Sequence, residues 1–190
     1  MMIRFLQAKH LIGCVLFFLF LTKTGFAQDT PFTYWNFNNP AALFAPNIGL
    51  SGSAIVFEPV AGSEAVSGTG QDFNSQNSLN GDTPGSHLRV NLPIGSKLYF
   101  DLPTTGYSAI KVKYETRRSG SGAGTQNISY SLDGVVFTAF TSVLPKDGVP
   151  DVIVLDFSGI VEANDNPNFR VLVEFLQPRE HHPATIVLIM

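Results

Sequence analysis

The chain has 190 residues, of which 14% are charged, and 15 acidic against 12 basic side chains leave a formal net charge of −3. That balance excludes a nucleic-acid binder of the usual kind, because phosphates reward clustered Lys and Arg. A single cysteine, Cys14, excludes a fold stapled by internal disulfides.

Arg4 and Lys9 precede an apolar run from Leu11 to Leu21, and Lys23, Thr24 and the stretch Gly25-Phe26-Ala27 follow it. This is the pattern of a secretory leader spanning 1–27, expected to be cut after Ala27. A membrane span needs roughly 20 apolar residues, about twice the length of this run. Cleavage would remove Arg4, Lys9 and Lys23 and take the net charge from −3 to −6. It would also remove Cys14. About 160 residues would remain, enough for one domain, 28–177, that buries close to 70% of its unfolded surface.

Tyr34–Phe37 and Ala54–Phe57 read as strands, and Gly62–Asn80, rich in Gly, Ser, Asn and Gln, reads as loop. Strands are then expected at Ser86–Asn91, Lys97–Leu102 and Tyr107–Thr116. The last of these alternates cleanly: Ile110, Val112 and Tyr114 share one face, and Lys111, Lys113 and Glu115 share the other. After the flexible connection Ser119–Gly124 come Gln126–Leu132 and Val135–Phe140. The pair Asp133-Gly134 between them predicts a two-residue hairpin turn, with Gly134 supplying the positive φ. Val152–Phe157 and Phe169–Leu176 complete the set, the latter with Phe169, Val171, Val173 and Phe175 facing inward. The fold expected is all-β, a two-sheet antiparallel sandwich burying Ile110, Val112, Tyr114, Val136, Ile153, Leu155, Val171 and Val173. Residues 178–190, with the apolar stretch Ala184–Met190, read either as a closing strand or as a frame-shifted end.

Four segments carry a resemblance: Trp35-Asn36-Phe37-Asn38, Leu98-Tyr99-Phe100-Asp101, Tyr114-Glu115-Thr116-Arg117-Arg118-Ser119-Gly120, and Tyr130-Ser131-Leu132-Asp133-Gly134 with Phe137. In this order they resemble a jelly-roll module of secreted Bacteroidetes proteins, similar to galactose-binding-like domains and carbohydrate-binding modules. The resemblance covers Trp35 to Leu176. It implies a binding or accessory role beside an enzyme domain or a type IX sorting tail, and it carries no catalytic residues onto this chain. Family members close with an Asp-Asn pair opening a final strand, and no such pair follows Leu176 here.

Residues that could carry chemistry are sparse. There is no Gly-x-Ser-x-Gly elbow, and beyond the leader the only histidines are His87, His181 and His182. Asp151 and Asp156 flank an apolar run and are the carboxylates to weigh for hydrolysis. The loop Glu162–Asn168 is rich in oxygen ligands, and Glu162 with Asp165 is the candidate site for Ca²⁺. No other cofactor is expected. Asn, Asp and Pro also suit an ordinary turn. Trp35 on the first strand, with Tyr34 and Phe37 beside it, and Tyr107 are the candidate sugar platforms, Tyr99 a weaker one. Arg117 and Asn127, with Gln71, Asp72 and Asn74, could line a polar cleft at the strand ends. The adjacent pair Arg117-Arg118 more often caps a strand than forms a patch. Asn127-Ile128-Ser129 matches a glycosylation acceptor within a strand.

The functional expectation is an exported, non-catalytic module recognising a polysaccharide or another cell-surface component. It is expected to have no nucleic-acid partner and no membrane span once the leader is gone, and to act as a monomer or as part of a longer chain. The alternatives are a structural spacer from a larger secreted protein, and a glycoside or ester hydrolase with an unfamiliar carboxylate pair.

Overall fold

The computed structural model describes residues 31–69, 82 and 85–177. Among them lie β1 (Ala54–Glu58), β2 (Glu64–Thr69), β3 (Ser86–Asn91), β4 (Lys97–Asp101), β5 (Lys111–Thr116), β6 (Thr125–Ser131), β7 (Thr138–Val143), β8 (Asp151–Asp156) and β9 (Arg170–Leu176). The helical elements among them are short 3-10 turns, Pro40–Ala42 and Val161–Ala163. None is a helix long and apolar enough to cross a membrane.

The protein is an all-β sandwich whose antiparallel sheets do not close into a barrel. One sheet has five strands in the order β1-β4-β9-β6-β7, and the remaining strands form two-stranded ribbons, β2-β3 and β5-β8. β9 occupies the centre of the large sheet because its sequence alternates strictly: Phe169, Val171, Val173 and Phe175 are all buried. They meet Ile55, Leu98 and Ile128 from the same sheet, Ile110 and Leu155 from the β5-β8 side, and the half-buried Leu88 and Val90 of β3. Aromatic rings fill the middle. Phe157, wholly buried, stacks on Phe140 with centroids 4.4 Å apart and meets Tyr130 and Phe169 edge-on at 5.7 and 5.2 Å.

Several expectations need correction. Asp133-Gly134 does not make a two-residue hairpin. Gly134 does take φ 80°, but the Asp133 carboxylate accepts the N–H groups of Val135 and Val136 and the Ser131 hydroxyl. These side-chain bonds replace the first rungs of the ladder, so the connection runs from Leu132 to Phe137 and β7 begins three residues later than expected. Val136 therefore sits in that loop at 67% exposure and not in the core. Val112, Tyr114 and Ile153 pack against the core but are only partly buried. The strand expected from Tyr107 starts at Lys111, because Gly106 (φ 84°) and Ala109 (φ 54°) interrupt extension. Tyr34–Phe37 is reduced to a single bridge between Tyr34 and Ile48, with Phe37 at φ 59° ending it. Glu64–Thr69, expected as loop, is a strand that pairs along its full length with Ser86–Asn91. The leader, Gln71, Asp72, Asn74, His181, His182 and the tail 178–190 lie outside the described residues.

Candidate functional site

The residues singled out from the sequence do not converge. Trp35 is partly buried against the core; its indole N–H donates to the Phe44 carbonyl at 3.1 Å, and its ring meets the edge of Phe100 at 6.3 Å. Tyr107 is exposed and lies stacked on Phe32, with centroids 4.3 Å apart. Arg117, one residue past β5, donates to the Gly148 carbonyl at 3.3 Å. Asn127 belongs to β6 of the large sheet, where its amide oxygen accepts the Ser142 hydroxyl at 2.7 Å. The neighbouring Gln126 faces inward and ties the layers together, accepting from Tyr114 and donating to Thr116. Burial pushes the Tyr114 phenol well above its ordinary pKa.

The loop around Glu162 and Asp165 uses its oxygens to hold the chain. Asp165 accepts the Gly106 N–H at 2.8 Å, Asn164 accepts the Ala109 N–H at 2.9 Å, and the Glu162 carbonyl accepts from the Asn166 amide at 2.9 Å. Thr104, wholly buried, donates its hydroxyl to the Ala163 carbonyl at 2.6 Å and accepts the Asn166 N–H at 2.9 Å. The loop is thereby fastened to 104–109 across a gap of some sixty residues in sequence. Among the described residues, no three of His, Cys, Asp and Glu gather as a metal centre would need.

Asp151 and Asp156 stand at opposite ends of β8, one ion-paired with Lys146 at 3.0 Å and the other with Lys111 at 3.6 Å. A six-residue strand separates its ends by roughly 16 Å, and an odd spacing turns the two side chains to opposite faces.

A different arrangement stands on the outer face of the five-stranded sheet. The register lines up Ala54, Asp101, Arg170 and Ser131 in one cross-strand row, and Val56, Tyr99, Leu172, Ser129 and Ala139 in the next. Glu58, Lys97, Glu174, Asn127 and Ser142 form the third. Asp101 and Arg170 are directly opposite on β4 and β9, and the guanidinium Nε donates to the Asp101 carboxylate. Its Nη1 donates to the Gly134 carbonyl at 2.9 Å. The same guanidinium lies 5.1 Å from the Tyr99 ring centroid and 6.0 Å from that of Phe137, and these rings meet each other at 5.6 Å. Four contacts therefore fix one arginine.

Lys97 and Tyr99 both bond to Glu58, at 2.9 and 2.7 Å, and these bonds hold its carboxyl below the ordinary carboxylate range. Beside the arginine, the Ser51-Gly52 turn, Asp101, Pro103, Gly134, Pro167, Asn168 and Arg170 line a shallow, open cleft of about 350 Å³. A smaller hollow of about 100 Å³ lies among Asn36, Phe37, Asn39 and Asn47.

Sequence reasoning missed Arg170 and Asp101 as a site. The available signal was an arginine and an aspartate at outward positions of apolar strands, but pairing them requires knowing that β4 and β9 are neighbours. Comparison with protein-family models, curated proteins and solved structures finds no match to this chain.

Proposed function

We propose that this protein is an exported, non-catalytic module that recognises a carbohydrate or another cell-surface component, and that the cleft beside Arg170 is where it does so. The observation that carries the reading is the fixed arginine: a donor held by Asp101, Gly134, Tyr99 and Phe137 at the edge of a cleft large enough for a small ligand. Sugars are bound by side chains that donate and accept at the same place, and a donor that is already immobile loses little entropy on binding. The jelly-roll resemblance read from the sequence points the same way.

The spacing of the acidic residues favours recognition over hydrolysis. Glycosidases need two carboxyls about 5–10 Å apart, one of them able to give up a proton. Asp151 and Asp156 are too far apart and face opposite ways, and the hydrogen bonds of Asp156 to Ser158 hold its carboxyl below the ordinary range. Asp101 and Glu58 are each engaged by a cation.

Affinity electrophoresis of the purified protein through gels carrying plant and algal polysaccharides tests the reading. Retarded migration on at least one polymer is expected. Unchanged migration on all of them would remove the carbohydrate reading, and turnover of a glycan or ester lost on Asp151→Asn would replace it with the enzymatic one.

A further inference from the structure

Resting on that reading, we infer that the cleft takes a single neutral pyranose unit, gripped through two adjacent hydroxyls by Arg170 and Asp101. The charge of the cleft points to neutrality. Asp101 and Arg170 already cancel one another at its edge, so an anionic ligand would meet the Asp101 carboxylate and a cationic one the guanidinium. A hydroxyl suffers neither, because it accepts from a guanidinium and donates to a carboxylate with one atom.

The free valences match this. A guanidinium carries five N–H donors. One goes to Asp101 and one to Gly134; among the described residues none takes the remaining three, and none donates to the second Asp101 oxygen. A planar fork of donors next to a carboxylate oxygen can serve two neighbouring hydroxyls, whereas a carboxylate or phosphate, which the fork alone would match, would meet the charge of Asp101. At about 350 Å³ the open cleft has room for one ring, lying with one face to solvent. The exposed Pro167 gives apolar surface to the ring's C–H face, and the exposed Asn168 side chain, beside Gly134, supplies a further polar group.

The test is amide-detected NMR of the ¹⁵N-labelled protein titrated with methyl galactoside, methyl mannoside, methyl glucoside and glucuronate. At least one neutral hexoside should move the amides of Gly52, Gly134 and Asn168, and glucuronate should move them less. Asp101→Asn and Asn168→Ala, each checked for an unchanged β-sheet circular dichroism spectrum, should weaken the neutral sugar about tenfold, the effect of losing a hydrogen bond in a site of this kind. Asp101→Asn should also raise affinity for glucuronate by freeing Arg170. Should Asp101→Asn fail to fold, Asn168→Ala, whose side chain makes no hydrogen bond among the described residues, carries the test. Tighter binding of glucuronate than of any neutral hexoside by the unaltered protein overturns the inferred ligand class. Shifts confined to other parts of the chain, or retardation on a polysaccharide that Asn168→Ala leaves unchanged, overturn the cleft and leave the recognition reading standing. No shift with any sugar together with no retardation on any polymer overturns both.

Discussion

The five-stranded sheet and the two ribbons are built from similar residues but are fixed to different degrees. β9 has a partner on each side, and its inward residues are almost fully covered. β5 and β8 have only each other among the described residues; Val112, Tyr114 and Ile153 on the inner side are half-covered, and Val152 and Val154 on the outer side are exposed at 39% and 55%. A strand paired on both edges and packed beneath cannot slip by one residue without turning its whole apolar set to water. A ribbon paired on one edge has fewer contacts holding its register. The Arg170–Asp101 pair depends on the register between β4 and β9, so the candidate site rests on the region where that register is most strongly specified.

The sharpest way to break this comparison is to shorten one side chain in each region. Ile128, 1% exposed in the middle of β6, should cost about 2–5 kcal/mol on replacement by alanine, through lost transfer energy and the cavity left behind. Val154→Ala on the outer side of β8 should stay within about 0.5 kcal/mol of the unaltered protein. Chemical denaturation of both variants measures the contrast, and equal losses would mean that the ribbon is as tightly specified as the sheet.

The loops fastening the two regions come next in size. Thr104→Val keeps the shape of the side chain but leaves the Ala163 carbonyl and the Asn166 N–H without their partner, at a cost of about 1–3 kcal/mol. Hydrogen exchange should show the added opening concentrated in 161–168. An increase spread evenly over all strands would show that Thr104 serves the core and not this clasp.

How much of this was legible beforehand follows the same division. β9 and β3 stand where their patterns put them, because alternation between core and water is written locally in each strand. β2 was obscured because Glu-Ala-Val-Ser-Gly-Thr buries little of its own; it is a strand by virtue of pairing with β3, a relation between distant segments. The Asp133-Gly134 turn was misjudged for the opposite reason. The local signal was strong, but the Asp133 side chain captured the N–H groups that a tight hairpin would have used, while Arg170 and Tyr99 drew Gly134 and Phe137 over the sheet. The cleft was invisible for want of strand order, and Trp35 and Tyr107, conspicuous as aromatic residues, found partners within the fold.

The smallest effect expected distinguishes the β2-β3 ribbon by pH. His87 on β3 lies against Gly68 of β2, so closely that a Cβ at position 68 would fall 2.2 Å from its Nε2. Partial burial first, and then the charges of Arg117 and Arg89, hold its pKa below the ordinary 6.5. Well above pH 6.5 the ring is neutral whether the chain is folded or not, and it leaves stability unaffected. As pH falls below that value the unfolded chain takes up a proton that the folded ribbon resists, so stability declines until the folded imidazole titrates too. Denaturation at pH 7.5 and 5.5, roughly one unit either side of that value, should show lower stability at the acid end, and His87→Gln should flatten the slope. The other histidines and the carboxylates remain in that variant, so the difference between the two slopes belongs to His87. An unchanged slope would mean that the ribbon opens to water before the ring is protonated, and would mark β2-β3 as still looser than β5-β8.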